Sequence, residues 1–209
     1  MLLTLIILYI ITLIYFSIVE RFRNYSSLIA VQGWLLLGIA LLRLHTLDWT
    51  ELSFIITETL IFKALIVPGI LMRVIKKTGI NRISSTGTSQ FNSLMLSITA
   101  LTISAILTYY VADQTINMIF FGVALYALLT GLILIVLRSR IFTHMVGFLV
   151  IENGVFLFSM AIGVEMPLLI NAAIMLDILL SVLMLGLFMT KVDKHIHTDD
   201  SDSLTHVKD

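Results

Sequence analysis

Residues 143–164 read THMVGFLVIENGVFLFSMAIGV, an apolar run that is interrupted near its middle by one carboxylate, Glu152. A bilayer core about 30 Å thick is crossed by about 20 mostly apolar residues at 1.5 Å each, so this stretch predicts a membrane-spanning helix. Working outward, six more stretches meet the same requirement. The predicted spans are 2–19, 27–44, 52–72, 93–112, 115–137, 143–164 and 167–190. We therefore expect an all-α polytopic membrane protein with seven transmembrane helices.

The composition agrees with this fold class. Of the 209 residues, 59% are hydrophobic and 12% are charged, about half the charged fraction of an ordinary soluble domain. A soluble globule needs more polar cover than this, so we exclude a soluble enzyme, a nucleic-acid binder and a disordered protein. Cysteine is absent, which removes disulfides, thiolate metal sites and cysteine nucleophiles.

Lysines and arginines predict the orientation. Two lie in the first connection, four in the third, two in the fifth and three in the tail, whereas the alternate connections hold only Arg43. Positive residues stay on the cytoplasmic side, so we expect the N-terminus outside and the C-terminus in the cytoplasm. We divide the chain into an N-terminal three-span region with a polar cytoplasmic linker at 73–92 (1–92), a four-span region (93–190) and a polar tail (191–209).

Charged residues inside the predicted spans are the candidate functional groups, because each costs roughly 2.5–3.5 kcal/mol at the bilayer centre and such residues are usually functional. They are Glu58, Lys63, Glu152 and Asp177. Glu152 and Asp177 lie near the centres of two spans joined by a very short connection, which predicts two protonatable groups at one depth. Burial raises the pKa of a carboxyl and a nearby cation lowers it. A carboxyl balanced between the two can take up and release a proton near neutral pH, as a proton relay requires. The alternative is two isolated structural groups, hydrogen-bonded and protonated.

Lys63 is predicted to tune a carboxylate, either in an ion pair with Glu58 or by pairing between helices. The five-residue spacing places Lys63 and Glu58 about 140° apart on an ideal helix, so a direct pair needs a bend, which Pro68 can supply. His144 lies two turns before Glu152 and is a candidate to pass protons to it through water, the alternative being a boundary histidine without a role. Asn153 is an accessory candidate that can hold a water or fix a rotamer. We predict no catalytic, metal or cofactor site in this chain.

Three segments resemble the hydrogenase-4 component E family: VGFLVIENGVFLFSM (146–160), INAAIMLDILLSVLMLGLFM (170–189), and FKALIVPGILMRVIKK (62–77) with its membrane lysine and downstream proline. The resemblance implies a small membrane subunit of [NiFe]-hydrogenase-type complexes, whose last three spans are similar to the K subunit of respiratory complex I. In that subunit two adjacent helices each carry a carboxylate on the proton path. Glu152 takes the first place, and Asp177, one methylene shorter than the usual glutamate, takes the second.

The resemblance further implies a non-catalytic subunit of a redox-driven ion pump in the cell's inner (plasma) membrane. Its partners would be other membrane subunits of a hydrogenase or complex I-like assembly, including antiporter-like subunits, together with the lipid bilayer and no nucleic acid. A subunit of a multisubunit cation/proton antiporter without a redox partner is one alternative, although that family's corresponding subunit generally lacks the first carboxylate. A structural membrane scaffold, whose charges only specify helix pairing, is another.

Overall fold

The computed structural model describes residues 1–43, 57–78, 90–111, 116–138 and 141–162, and within these ranges the chain is helical with no β-strand. The all-α prediction is confirmed for this part of the chain. The elements, in chain order, are α1 (Leu2–Ile18), α2 (Phe22–Arg43), a π-helical segment (Glu58–Ile66) that runs directly into α3 (Val67–Thr78), α4 (Gln90–Val111), α5 (Met118–Leu137) and α6 (Ile141–Ile162).

Four helices of the described part are long and apolar enough to cross a membrane: Phe22–Leu42, Gln90–Val111, Met118–Leu137 and Phe142–Ile162. Helix α1 is apolar but has only 17 residues, and the predicted third span is divided where the π-helical segment meets α3. The predicted seventh span, 167–190, lies outside the described residues. The chain is thus a helical membrane protein with at least these four candidate spans, while the count of seven and the orientation stay predictions.

Helix ends differ from the predicted span limits. Helix α2 begins at Phe22 rather than at residue 27, and α3 continues to Thr78 rather than ending at residue 72. Because α4 begins at Gln90, both ends of the predicted linker 73–92 are helical. The physical reason is that hydropathy marks the part of a helix that fits in the bilayer core, whereas the backbone continues its hydrogen bonding through polar residues beyond it.

Helices α5 and α6 form a closely packed hairpin, the most extensive contact among the described elements. A Cβ placed on Gly131 would lie 2.6 Å from the Gly147 carbonyl oxygen, and one on Gly147 would lie 2.8 Å from the Gly131 carbonyl oxygen. A Cβ on Gly154 would meet the Ala127 Cβ at 3.1 Å. Small residues therefore let these backbones approach, as is typical of membrane helices, and they fix the stretch of α6 that carries Glu152.

Large side chains pack α1 and α2 against this hairpin. The rings of Phe16 and Tyr25 stack with centroids 5.7 Å apart, and Phe22 meets Phe142 edge to face at 4.8 Å. Tyr9, Phe16 and Tyr25 are fully buried. Aromatic pairs of this kind add stability beyond the area they bury, so α1 is held in the bundle along its inner face.

Candidate intramembrane charge site

Two of the sequence-predicted residues meet in an interhelical ion pair. Lys63 Nζ lies 3.1 Å from Glu152 Oε1, and the two side chains are only 8% and 13% exposed. The same ammonium lies 4.6 Å from the ring centroid of Phe156, one turn further along α6. A cation over an aromatic face is attracted by the ring quadrupole, so α6 offers Lys63 both a carboxylate and a ring.

The path of the backbone explains how Lys63 reaches α6. A Cβ on Gly33 would lie 2.8 Å from both the Ala64 nitrogen and the Lys63 carbonyl carbon, so the glycine lets α2 touch the π-helical segment backbone to backbone. Pro68 has no N–H to donate to the carbonyl of Ala64, which loosens the preceding turn, and the helix changes from π to α geometry at Val67. π-Helical turns occur frequently at functional sites.

A chain of buried amides and hydroxyls begins beside the ion pair, at the residue that follows Glu152. Asn153 Nδ2 donates to Gln32 Oε1 at 3.2 Å, and Gln32 Nε2 donates to Thr12 Oγ1 at 3.1 Å. The Thr12 hydroxyl donates to the carbonyl oxygen of Tyr9 at 2.6 Å. This Thr12–Gln32–Asn153 chain links α1, α2 and α6, and all three side chains are buried.

Tyr9 differs from these polar neighbours. It is fully buried, and its hydroxyl has no hydrogen-bond partner among the residues that the structure describes. Buried polar groups are nearly always hydrogen-bonded in native proteins, so the unpaired Tyr9 hydroxyl is an exception among the buried polar groups of this site.

The other sequence-predicted residues are placed as follows. His144 Nε2 lies 2.5 Å from the carbonyl oxygen of Arg138, the residue that caps the C-terminus of α5, so it links α6 to the C-terminal end of α5. Asn153 donates to Gln32, and its predicted accessory role, to hold a water or fix a rotamer, stays a prediction. The side chain of Glu58 and all of Asp177 lie outside the described residues, so the predicted Glu152–Asp177 pair stays a prediction.

Three residues of the site, Gln32, Thr12 and Tyr9, were missed by sequence reasoning. Gln32 carried a usable signal, because an amide in the interior of an apolar span has to find a partner inside the bundle. Thr12 and Tyr9 gave little signal in the sequence. A threonine bonds readily to its own helix, and a tyrosine is an ordinary residue of membrane helices.

The chemistry available at the site is proton exchange on an internal carboxylate. With Lys63 and Glu152 both ionised the pair is neutral overall, and one added proton leaves it with a single positive charge. Within the described ranges no group of three or more His, Asp or Glu residues is placed to hold a metal ion. The groups that the structure does show at the site are a carboxylate, an ammonium and hydrogen-bonding side chains.

Comparisons of this chain with protein-family models, with curated proteins and with solved structures find no match. Fold and site together define the class: a helical membrane protein with a buried ion pair between two of its helices and a buried hydrogen-bond chain that starts at the next residue of α6.

Proposed function

We propose that this chain is a non-catalytic membrane subunit of an ion-translocating complex, in which Glu152 takes up and releases a proton and Lys63 acts as its counter-charge. The observation that carries the proposal is the ion pair, 3.1 Å long and largely buried. Well-packed apolar residues hold helices together as well as a buried ion pair does, or better, so helix packing alone gives little reason to keep two charges here. Function gives a better reason.

The proposed cycle starts from the ionised pair. A proton that arrives at the Glu152 carboxylate forms the neutral acid, removes the main attraction for Lys63 and leaves the ammonium as the charge of the site. Release of the proton restores the carboxylate and the pair. Moving one charge against the membrane potential costs about 2.3 kcal/mol per 100 mV, so the energy has to come from partner subunits.

The resemblance to hydrogenase-4 component E supports a redox-driven complex of the hydrogenase or complex I type in the plasma membrane as the setting. In that setting Asp177 is the second relay carboxyl and Glu58 an outer one, and antiporter-like membrane subunits are the neighbours. A cation/proton antiporter assembly uses the same carboxyl chemistry without a redox partner. The chains that co-purify with this one from its own membrane discriminate between the two settings.

A structural scaffold is the second candidate function, and the close approach at Gly33 favours it. Because α2 touches the π-helical segment backbone to backbone, the ion pair can serve to fix the rotation of that segment against α6. In that case the charges would matter for assembly and not for transport.

Glu152→Gln tests the proposal, because glutamine keeps the shape of the side chain but cannot carry a proton. The complex is purified through a tag on this chain, reconstituted in liposomes and driven by its own electron donor, or by a sodium gradient if no redox subunit co-purifies. Proton movement is followed with a pH-sensitive dye. We expect an assembled complex whose proton translocation is lost or strongly reduced.

The matched control is Glu20→Gln. Glu20 lies exposed between α1 and α2 and bonds to Gln90, so the same chemical change there should leave translocation at the wild-type rate. Wild-type translocation in Glu152→Gln would refute the relay. Glu152→Gln also leaves the buried Lys63 ammonium without its carboxylate, so the double variant Lys63→Met, Glu152→Gln is assembled alongside it. Failure of both to assemble, with Glu20→Gln assembled, would point to the scaffold instead.

A further inference from the structure

The two elements that carry the ion pair have little backbone contact with each other. Among the described elements, the π-helical segment packs mainly on α2 and on its own continuation α3, whereas α6 packs mainly on α5 and then on α2. Helix α2 is therefore the neighbour that both elements share. The distance between Lys63 and Glu152 depends on how each element is held against α2.

On the Lys63 side, α2 is held by a backbone contact and a hydrogen bond. A Cβ on Gly33 would lie 2.8 Å from both the Lys63 carbonyl carbon and the Ala64 nitrogen, so the two backbones touch there. About two turns earlier on α2, the Ser26 hydroxyl donates to the carbonyl oxygen of Pro68 at 2.9 Å. The stretch of chain that carries Lys63 is thus held to α2 at two points.

On the Glu152 side, α2 is held by the amide of Gln32. Asn153 Nδ2 donates to Gln32 Oε1 at 3.2 Å, and Gln32 Nε2 donates in turn to Thr12 Oγ1 at 3.1 Å. The Gln32 side chain is fully buried, and both ends of its amide are bonded. The amide is therefore fixed in one orientation, with the residue that follows Glu152 attached to it.

These two attachments are adjacent on α2. Gln32 and Gly33 are consecutive residues, with Cα atoms about 3.8 Å apart, and Asn153 directly follows Glu152. The path from one charge-bearing backbone to the other therefore consists of one hydrogen bond, one step along α2 and one backbone contact. Loss of the hydrogen bond would release α6 from the helix that also holds Lys63.

We propose that Gln32 is a positioning residue for the ion pair, and that it holds α6 on α2 at the separation at which the Lys63 ammonium reaches the Glu152 carboxylate. The inference rests on the ion pair and not on proton uptake, so it can fail while the proposed function stands. It also deepens that function. If Glu152 is a proton relay, Gln32 sets how strongly the ammonium favours the ionised carboxylate, and this consequence rests on the proposed function.

The test measures the coupling between Lys63 and Glu152 with and without the Gln32 hydrogen bond. The coupling is the non-additive part of the effects of Lys63→Met and Glu152→Gln on SDS unfolding of the full-length protein at pH 7. The same cycle is repeated in a Gln32→Met background, because methionine keeps the length of the side chain but cannot donate a hydrogen bond and accepts one only weakly. We expect the coupling to fall to less than half of its wild-type value.

Tyr126→Phe is the matched control background. The Tyr126 and Ser97 hydroxyl oxygens lie 2.7 Å apart and join α5 to α4, so this variant also loses a buried hydrogen bond between helices, but one that involves neither α2 nor the Lys63 segment. We expect lower stability and an unchanged Lys63–Glu152 coupling. Asn153→Leu removes the Gln32 bond from the α6 side and should reproduce the Gln32→Met result, and it takes that variant's place if Gln32→Met does not fold.

The remaining results would overturn the role of Gln32. A Gln32→Met background that is less stable but keeps the full coupling would make Gln32 only a structural link between helices, and an equal loss of coupling in Tyr126→Phe would show that the effect is not specific. In both cases Glu152→Gln can still abolish translocation, and the proposed function stands. If the wild-type protein shows no coupling, there is no ion pair to position, and Lys63 also loses its proposed part as counter-charge.

Discussion

Removing the Lys63 ammonium while the Glu152 carboxylate remains tests how deeply the ion pair is buried. The two side chains are 8% and 13% exposed and 3.1 Å apart. Exposed pairs contribute about 0–1 kcal/mol, whereas removing one partner of a buried pair costs about 3–5 kcal/mol because the other charge is left uncompensated. For Lys63→Met the structure places the loss of unfolding free energy in the second range.

In Lys63→Met the unpaired Glu152 carboxylate can take up a proton and become neutral. The free-energy cost of that protonation is the upper limit on the loss of stability. Keeping a glutamate protonated against its ordinary tendency to ionise costs about 3.7 kcal/mol at pH 7 and about 1 kcal/mol at pH 5. We therefore expect Lys63→Met to be about 3 to 4 kcal/mol less stable than the wild type at pH 7. The difference should shrink to about 1 kcal/mol at pH 5, because the acid form then forms readily.

The measurement is loss of helix circular dichroism as the purified protein in detergent micelles is titrated with SDS, at both pH values. The double variant Lys63→Met, Glu152→Gln is the control, since it carries no stranded charge and should recover most of the loss at pH 7. A single variant as stable as the wild type would contradict the burial of the pair. A double variant no more stable than the single one would show that Lys63 stabilises the fold through its stem or its contact with the Phe156 ring and not through Glu152.

Two further predictions concern the residues that surround the pair. Gly33→Ala should lower stability by about 1–3 kcal/mol, because its Cβ would meet the Ala64 backbone nitrogen at 2.8 Å, whereas Gly69→Ala, with no atom within 4 Å of its Cβ, should be neutral or slightly stabilising in the same titration. Gln32→Leu should lower the unfolding free energy by about 1–3 kcal/mol, because it leaves the buried groups at both ends of its hydrogen bonds without partners. Gln90→Leu, at an exposed position, should change stability by about 0.5 kcal/mol or less. Equal effects within either pair of variants would contradict this packing.

The sequence was sufficient to single out Lys63 and Glu152, because a charge within a long apolar run is conspicuous and costly wherever the helix lies. It was not sufficient to pair them. The contact joins the π-helical segment to α6, and it depends on the close approach of the α2 backbone to that segment at Gly33. A hydropathy pattern does not predict such an approach. Tyr9 stayed hidden for a related reason, since what distinguishes it is an unpaired hydroxyl, a property of its surroundings and not of its residue type.

The two partners of the ion pair sit on elements of different character, and this bears on which of them can respond to a proton. Glu152 lies on α6 between Gly147 and Gly154, the glycines that seat α6 against α5 at backbone distance, so its position along the hairpin is fixed on both sides. Lys63 lies in the π-helical segment that precedes Pro68, where the regular α-helical hydrogen bonds are interrupted. A change of charge at Glu152 should therefore be met by rotation of the Glu152 side chain and by adjustment of the segment that carries Lys63, and not by sliding of α6 against α5.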